Sequence, residues 1–580
     1  MIILGLNAYH GDASAAIVVD GKLMAAAEEE RFSRLKHAAG FPYQAVRYCL
    51  ETVGIKASDI SHIAVSRNPK AHLHRKLFHS LKRKKWSQLF DRFMSTKKIW
   101  NIVAEVAKAV DTDPKSIKAK VHWVEHHRSH LSSSFFVSPF ERAALLSVDG
   151  FGDFVSTMWG IGQGNEMKIK GFVGFPHSLG VMYTAITQYL GFKHYGDEYK
   201  VMGLAAYGEP SYREQFSKIV HKNGGISFEL ALPYFKHTTE GVTMTWEKGS
   251  PAIGDLYSKN LEKLLGPERV PGSAIDKSHQ DIAHSLQDQL ETIMFSILNN
   301  LYEKTKCDKL VMAGGVSLNC VVNGQIFDQT PFKEVYIQPA ANDSGTSIGA
   351  AYYVYHELLK NPRSFVMRHA YYGPEYSNQK IKHVLEEKKI HFKEFPSGEV
   401  PEVTAKAVSE GKVVGLYQGR MEFGPRALGN RSIVADPRRT DMKDILNKRI
   451  KLREPFRPFA PSVLEEATGE YFEISHPTPF MLFTYHVKPE KQHDIPAPTH
   501  VDGTGRVQTV TRDANPFYWS MIKAFEKITG VPVVLNTSFN ENEPIVCTPE
   551  EAVECFSRTR MDTLVMGNMV IGREDNQRQN

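Results

Sequence analysis

The first twenty-seven residues decide the fold: Met1-Ile-Ile-Leu-Gly-Leu-Asn-Ala-Tyr-His10-Gly-Asp12-Ala-Ser-Ala-Ala-Ile-Val-Val-Asp20-Gly21-Lys22-Leu-Met-Ala-Ala-Ala27. Residues 2–6 form an apolar run of strand length that turns polar at Asn7. Residues 15–19 form a second such run, and the loop between the two is short and polar. Asp20-Gly21 is a strong hairpin turn signal leading into a third strand at residues 22–27. The apolar start lacks a basic flank, a long hydrophobic stretch and a cleavage site, so it reads as a strand rather than a secretion signal.

Outward from this opening, strands and helices alternate. Residues 42–53 read as a helix with Pro42 near its first turn. Residues 143–148 read as a buried strand running into Asp149-Gly-Phe-Gly-Asp153, so a second strand ends in a carboxylate. A long helical pattern spans 278–306. Strand 309–313 runs into Gly314-Gly315, and strand 335–338 into Asn342-Asp-Ser-Gly345 with a helix from 346 to 359. This order indicates an α/β fold with ligands at the carboxyl ends of strands. A strand–loop–strand opening is also how ASKHA-type ATPases (actin, sugar kinases, heat-shock chaperones) present a phosphate loop. Composition shifts at Asn361-Pro-Arg and at Tyr372-Gly-Pro-Glu-Tyr-Ser377. The boundary expected there separates residues 1–365 from 370–580, where a helix at 378–387 and a strand at 413–417 restart the pattern. No internal repeat is evident.

At 580 residues and 42% hydrophobic, the chain can bury several cores, which excludes collagen-like and disordered classes. Five scattered cysteines without C-x-x-C spacing exclude a disulfide framework or zinc ribbon. No apolar run reaches 18 residues, so no spanning helix is expected, and the location expected is the cytoplasm. The net charge is only +6, yet residues 67–98 hold eleven Lys/Arg against Asp91 alone. That stretch reads either as a solvated helical face or as an attractor for an anionic substrate or a membrane surface. No reader motif accompanies the charge, which argues against a nucleic-acid partner.

Three constellations carry chemistry. His126 and His130 stand four apart, so on a helix they share a face and can ligate one metal, while His127 points elsewhere. Asp149 and Asp343, at strand ends, can complete a mixed nitrogen and oxygen site suited to iron, manganese, zinc or nickel. Gly314-Gly315, with Ser317 and Asn319, reads as a backbone approach to a nucleotide or as a plain turn, and there is no Walker A motif. The most informative stretch is Gly419-Arg-Met-Glu-Phe-Gly-Pro-Arg-Ala-Leu-Gly-Asn-Arg-Ser432. It is followed by the Lys/Arg/Pro-rich residues 447–461, by 500–508 and by Leu535-Asn-Thr-Ser-Phe-Asn540. Arginines set among glycines and prolines suit oxyanion grips, because guanidinium forks bind phosphate oxygens in pairs.

At these residues the chain resembles the O-carbamoyltransferase family of nodulation and antibiotic biosynthesis, which includes the tobramycin and cephamycin carbamoyltransferases. The matching segments include residues 7–15, 29–37, the His126/His130 pair, 147–153, 196–204, 314–319, 342–345 and the arginine-rich set. The resemblance implies an ASKHA-type transfer domain, like the enzyme that moves threonylcarbamoyl to tRNA, followed by a YrdC-like domain that makes carbamoyl adenylate. It implies ATP, carbamoyl phosphate and a small hydroxyl-bearing acceptor as partners, with a homodimer open. A divalent metal, iron first and manganese or zinc as alternatives, would sit at His126, His130, Asp149 and Asp343, and magnesium would accompany ATP. Arg426, Lys451, Arg457 and Arg506 would grip carbamoyl phosphate. Gly314, Gly315, Asn319, Asn342, Lys200, Asn536 and Ser538 would contact nucleotide. His10 or Asp12 would take the acceptor proton, and Lys36 and His37 would face the acceptor, with plain exposed charge as the other reading of the latter two.

Two competitors remain at the level of sequence. One is a tRNA threonylcarbamoyl enzyme, favoured by the basic stretch and opposed by the carbamoyl phosphate grip. The other is an ASKHA ATPase that transfers nothing, which leaves the arginine-rich half unexplained.

Overall fold

Asp20 and Gly21 both adopt left-handed backbone (φ +46° and +82°), the geometry a two-residue hairpin loop demands. In the computed structural model, which describes residues 1–73, 101–241, 244–245, 251–474 and 476–577, this turn joins β2 (Ser14–Val19) to β3 (Lys22–Glu28). β2 pairs antiparallel with β1 (Ile2–Asn7). On the other side of β1 lie β4 (His62–Val65) and β5 (Lys120–Trp123), both parallel, giving the order β3-β2-β1-β4-β5. Alternate residues Leu4, Leu6, Ile63 and Val65 face the helix Tyr43–Val53 and close an apolar core with Val46 and Leu50. Gly54 ends that helix in left-handed conformation. Most of the basic stretch, residues 74–98, lies outside the described residues.

The same topology recurs. β6 (Arg142–Gly152), β7 (Val155–Gln163) and β8 (Glu166–Gly174) form an antiparallel meander. Two small hairpins follow: β9 (Val220–Lys222) with β10 (Phe228–Leu230), and β11 (Met244–Thr245) with β12 (Ala252–Ile253). Then β13 (Lys309–Ala313) and β14 (Glu334–Ile337) join β6 in parallel, giving β8-β7-β6-β13-β14. In both sheets the first strand is central, with a hairpin on one flank and two parallel strands on the other. No repeat was visible in the sequence, because topology is repeated here and residue identity is not.

Two helices are exchanged between the copies. The helix His126–Phe135 follows the first sheet but packs on β6, β7 and β13. The helix Thr346–Tyr352 follows the second sheet but packs on β1, β2 and β4. The two helices also pack on each other, so closely that a Cβ at Gly349 would lie 1.8 Å from the Ser129 carbonyl oxygen.

The chain divides into two compact units, Met1–Met367 and Arg368–Asn580. The second is built on one nine-stranded mixed sheet of β15 (Lys393–Glu394), β16 (Val414–Tyr417), β17 (Arg431–Ala435), β18 (Ala460–Leu464), β19 (Phe483–His486), β20 (Thr504–Val510), β21 (Val533–Ser538), β22 (Thr563–Met566) and β23 (Met569–Gly572). Its order is β15-β23-β22-β16-β17-β21-β18-β20-β19, with β16/β22 and β18/β20 the parallel pairs. The expected mixed α/β class is what the structure contains. One difference from the sequence reading is local: β6 runs on to Gly152 instead of ending before Asp149, and the turn falls at Asp153 and Phe154, both with positive φ. No helix among the described residues is long and apolar enough to cross a membrane.

Candidate functional site

The helix His126–Phe135 begins where the Glu125 carboxylate caps it, accepting from the Arg128 N–H at 2.7 Å. One turn separates His126 from His130, and their Nε2 atoms stand 3.1 Å apart. Asp149 on β6 and Asp343 on the loop after β14 converge on them. His126 Nε2 lies 3.5 Å from Asp149 Oδ2 and 3.4 Å from Asp343 Oδ1, and His130 Nε2 lies 3.6 and 3.3 Å from the same atoms. These four ligand atoms all fall within 4.8 Å of one another. His127 points the other way, with Nδ1 at 2.8 Å from Ser147 Oγ and Nε2 at 3.0 Å from the Val155 carbonyl. Burial first, and then the neighbouring His126 and His130, push its pKa down to about 3.

Backbone geometry makes the cluster. A Cβ at Gly152 would fall 1.9 Å from His126 Cδ2, so only glycine leaves room for that ring. Gly314 sits at φ +92° against β6, where a Cβ would meet the Val148 carbonyl oxygen at 2.3 Å. The next amide, Gly315 N–H, donates to Asp149 Oδ1 at 2.8 Å, so this amide orients a carboxylate. Asp153 Oδ2 accepts from the His126 N–H at 3.1 Å and the Asn68 N–H at 2.8 Å. His10 Nδ1 pairs with Asp343 Oδ2.

Burial opposes every charge here. It is outweighed for Asp343 by His10 and His126, and for Asp149 by the neighbouring His126 and His130, so both carboxyls are held well below their usual range. Asp343 and Asp149 in turn raise His126 well above the usual imidazole value. Asp343 Oδ1 is buried and accepts no hydrogen bond. An orphaned carboxylate oxygen facing two imidazole nitrogens is a donor set for a divalent cation, and the residues present fit one.

The first loop borders this cluster. Asn7 Nδ2 donates to the carbonyls of Gly11 and Asp12, both at 3.0 Å, and Asp12 is held at φ +55°. Asp12 Oδ1 lies 2.8 Å from His37 Nδ1, and Glu30 Oε2 accepts the His37 N–H at 2.7 Å. Burial would lower the His37 pKa, but Asp12 and Glu30 prevail and raise it to about 9. Lys36 is exposed.

In the unit Arg368–Asn580, the arginine-rich run is organised by a carboxylate. Glu422 is buried, and its Oε1 accepts the N–H groups of Leu428, Asn430 and Arg431 at 2.6, 2.9 and 3.3 Å. Arg431 turns inward. It is fully buried over the Tyr417 ring and donates to the carbonyls of Gln418, Gly419, Asn430 and Pro374. Lys451 Nζ donates to the Ser538 and Asn540 carbonyls and to Asn540 Oδ1, at 2.6, 2.7 and 2.7 Å. Burial, then Arg453 and Arg457, hold this amine well below the usual lysine range. Asn536 Nδ2 bonds the Ala427 carbonyl, Ser462 Oγ and Gln508 Oε1, and its buried Oδ1 is unpartnered. Gln508 bonds the Leu428 carbonyl, and Arg506, two residues back on β20, shares its face. Arg426 lies on the same loop as Ala427 and Leu428, and Arg457 Nη1 donates to Glu454 Oε2 at 3.3 Å.

Comparison with known proteins gives two family matches: the carbamoyltransferase N-terminus over residues 2–352 and the carbamoyltransferase C-terminus over residues 405–573. The chain belongs to the carbamoyltransferase family. It is 38% identical to the nodulation protein NolNO of Sinorhizobium fredii, covering 97% of this chain and 79% of that one. It is 39% identical to the nodulation protein NolO of Bradyrhizobium diazoefficiens, covering 77% and 78%. A Synechocystis protein is 40% identical over 98% of this chain and 96% of its own. The protein is therefore a transferase enzyme.

Other residues singled out in this carbamoyltransferase have local partners. Asn319 Oδ1 caps a helix through the Val322 N–H and meets Gln287. Asn342 Oδ1 accepts from Ser344 Oγ at 2.8 Å, and Lys200 Nζ pairs with Asp197 at 2.8 Å. Two residues without a role so far are drawn in: Asp153, which ties the helix His126–Phe135 to residue 68, and Asn540, which shares Lys451 with Ser538. The second had a signal, since it closes the polar run Asn536-Thr-Ser-Phe-Asn540 at the end of β21.

Proposed function

We propose that the protein makes carbamoyl adenylate from carbamoyl phosphate and ATP in the unit Arg368–Asn580, and transfers the carbamoyl group to a hydroxyl of a small acceptor in the unit Met1–Met367. The observation that carries the transfer site is the convergence of His126, His130, Asp149 and Asp343 within a carbamoyltransferase N-terminal match. The duplicated sheet with exchanged helices supports the ASKHA reading of that unit. For the C-terminal unit the YrdC-like reading rests on the basic and polar groups gathered around β20, β21 and the Glu422-held loop.

In the C-terminal unit, Arg426, Arg457 and Arg506 supply forks for the oxygens of carbamoyl phosphate and of the departing phosphate. Lys451 fixes the strand end that offers Ser538 and Asn540, and Asn536 Oδ1 offers an acceptor to the carbamoyl amide. Water cleaves carbamoyl phosphate to carbamate and phosphate, ATP enters with magnesium, and the carbamate oxygen then bonds to the α-phosphorus as the bond to pyrophosphate breaks. In the N-terminal unit a divalent ion, iron first and manganese or zinc as alternatives, supplies Lewis-acid polarisation of an oxygen when bound at the His/Asp cluster. Asp12 Oδ1 faces His37 Nδ1 at 2.8 Å, and His10 is held by Asp343. One of the two takes the acceptor proton as the acceptor oxygen bonds to the carbamoyl carbon and AMP leaves. Lys36 and His37 line the acceptor side.

The test separates the two halves in the full-length protein. His130→Ala should abolish carbamoyl transfer and preserve exchange of labelled pyrophosphate into ATP, and Lys451→Ala should abolish the exchange. ATP converted to ADP instead of AMP and pyrophosphate would refute adenylate chemistry. Active protein without stoichiometric metal by elemental analysis would refute the metal site.

A further inference from the structure

Tyr195 belongs to no motif used so far, yet it stands against the first loop of the transfer site. Its hydroxyl lies against Gly11, where an added Cβ would approach it to 2.8 Å. Gly11 is the residue between His10, paired with Asp343, and Asp12, paired with His37. The Tyr195 ring meets His37 edge-on, with centroids 5.1 Å apart. The residue that follows, Gly196, sits at φ +84°, where a Cβ would strike His37 Nε2 at 2.3 Å. No described residue hydrogen-bonds to the Tyr195 hydroxyl.

A phenol set among ionised groups without a partner is a donor held in reserve. Its surroundings keep it one. Burial first, and then the charges of Asp12, Asp343, Asp149 and Glu198, hold its pKa well above the usual tyrosine value. The hydroxyl is therefore held in its protonated, donating form. The loop that brings it, residues 190–197, is distinct from those carrying the two general-base candidates and the four ligand residues.

We propose that Tyr195 is a catalytic residue of carbamoyl transfer, donating its hydroxyl hydrogen bond to the carbamoyl oxygen of the adenylate. This rests on the functional reading above and adds a role to its transfer half. As the acceptor oxygen bonds to the carbamoyl carbon, the carbonyl π pair moves onto that oxygen, which gains negative charge facing the Tyr195 O–H. When the pair returns, the bond to the AMP oxygen breaks, and AMP leaves with those electrons. The acceptor proton goes to His10 or Asp12. Tyr195 loses no proton in either step, so its contribution is a hydrogen bond that strengthens as charge develops.

The test is Tyr195→Phe in the full-length protein, with carbamoyl phosphate and ATP as substrates and either water or concentrated methyl α-D-glucopyranoside as probe acceptor. AMP release is the transfer readout, and exchange of labelled pyrophosphate into ATP is the control. The expected result is a fall in the kcat for AMP release of about a hundredfold, the usual size for an oxyanion donor, with the KM for the glucoside and the exchange rate unchanged. An unchanged kcat in the variant overturns the role of Tyr195 and leaves the functional reading standing. A wild-type protein that shows neither exchange nor AMP release overturns the functional reading itself, and Tyr195's role with it. A variant with altered KM and unaltered kcat makes Tyr195 a binding residue and also overturns the role. If Tyr195→Phe lost exchange as well, the fold would be at fault. The decisive measurement would then be Gly11→Ala, whose Cβ would meet the Tyr195 hydroxyl at 2.8 Å and the ring carbon bearing it at 3.1 Å, and an unchanged kcat there overturns the role.

Discussion

A single hydrogen atom decides whether His126 can occupy its site. The Cβ of an alanine at position 152 would overlap the imidazole, so Gly152→Ala should turn the ring out of the cluster. The expected outcome is loss of bound metal by elemental analysis and loss of carbamoyl transfer, with pyrophosphate exchange retained. A second prediction concerns charge. The folded-state pKa of His37 is raised to about 9, above the ordinary imidazole value near 6.5. A raised pKa means that the folded state binds the proton more tightly. The stabilisation is then complete below about pH 6.5 and is lost as pH rises through about 9. Denaturant titrations should show the wild type losing stability across that window. His37→Gln should flatten that slope, with a modest amplitude because the side chain is 30% exposed. Most of these residues were legible as types in the sequence. His126 and His130 announced themselves by spacing, and the two aspartates by following apolar strand-like runs, although β6 in fact continues past Asp149 to Gly152. Tyr195 and the inward turn of Arg431 were not legible, because both depend on which way a loop side chain points. Arg426 and Arg431 look alike within one glycine-rich run, yet Arg431 is consumed by four carbonyls.

At the scale of elements, the exchanged helices carry the sharpest constraint. Gly349 lets Thr346–Tyr352 lie on the backbone of Ser129, the neighbour of His130. Gly349→Ala should push the helices apart and destabilise the protein by about 1–3 kcal/mol, the usual cost of overfilling a packed contact. Thermal unfolding followed by circular dichroism checks the loss, and metal affinity should fall with it because His130 shares the displaced helix. The elements themselves were mostly legible. The opening hairpin, the helix after Pro42 and the strands ending at Gly314 and before Asn342 all carry local signals of turn chemistry and apolar period. The doubling of the sheet was not, since strand order is set by long-range pairing that no local period records. The basic stretch leaves the described structure beside the site, with Arg67 donating to the Tyr9 carbonyl and Asn68 to Asp153. If it gathers an anionic acceptor, neutralising Lys82, Arg83, Lys84 and Lys85 together should raise the KM for a phosphorylated sugar, with pyrophosphate exchange unaltered. The difference from wild type should fade as salt screens exposed charge over about 8 Å or less. Equal KM values at every salt concentration would mark the stretch as a solvated face.

For the whole molecule, chain order and spatial order disagree. The face of the first sheet opposite the helix Tyr43–Val53 is covered by a helix made from residues 346–352, long after β4 is complete at Val65. A ribosome adding about 5–20 residues per second therefore leaves that face uncovered for tens of seconds. During this interval the nascent chain presents an apolar sheet to the cell, and a trigger-type holdase or a pause in translation would find its substrate there. Synonymous codon changes that slow elongation between positions 65 and 346 should lengthen the interval and lower the soluble yield without altering a single residue of the finished enzyme.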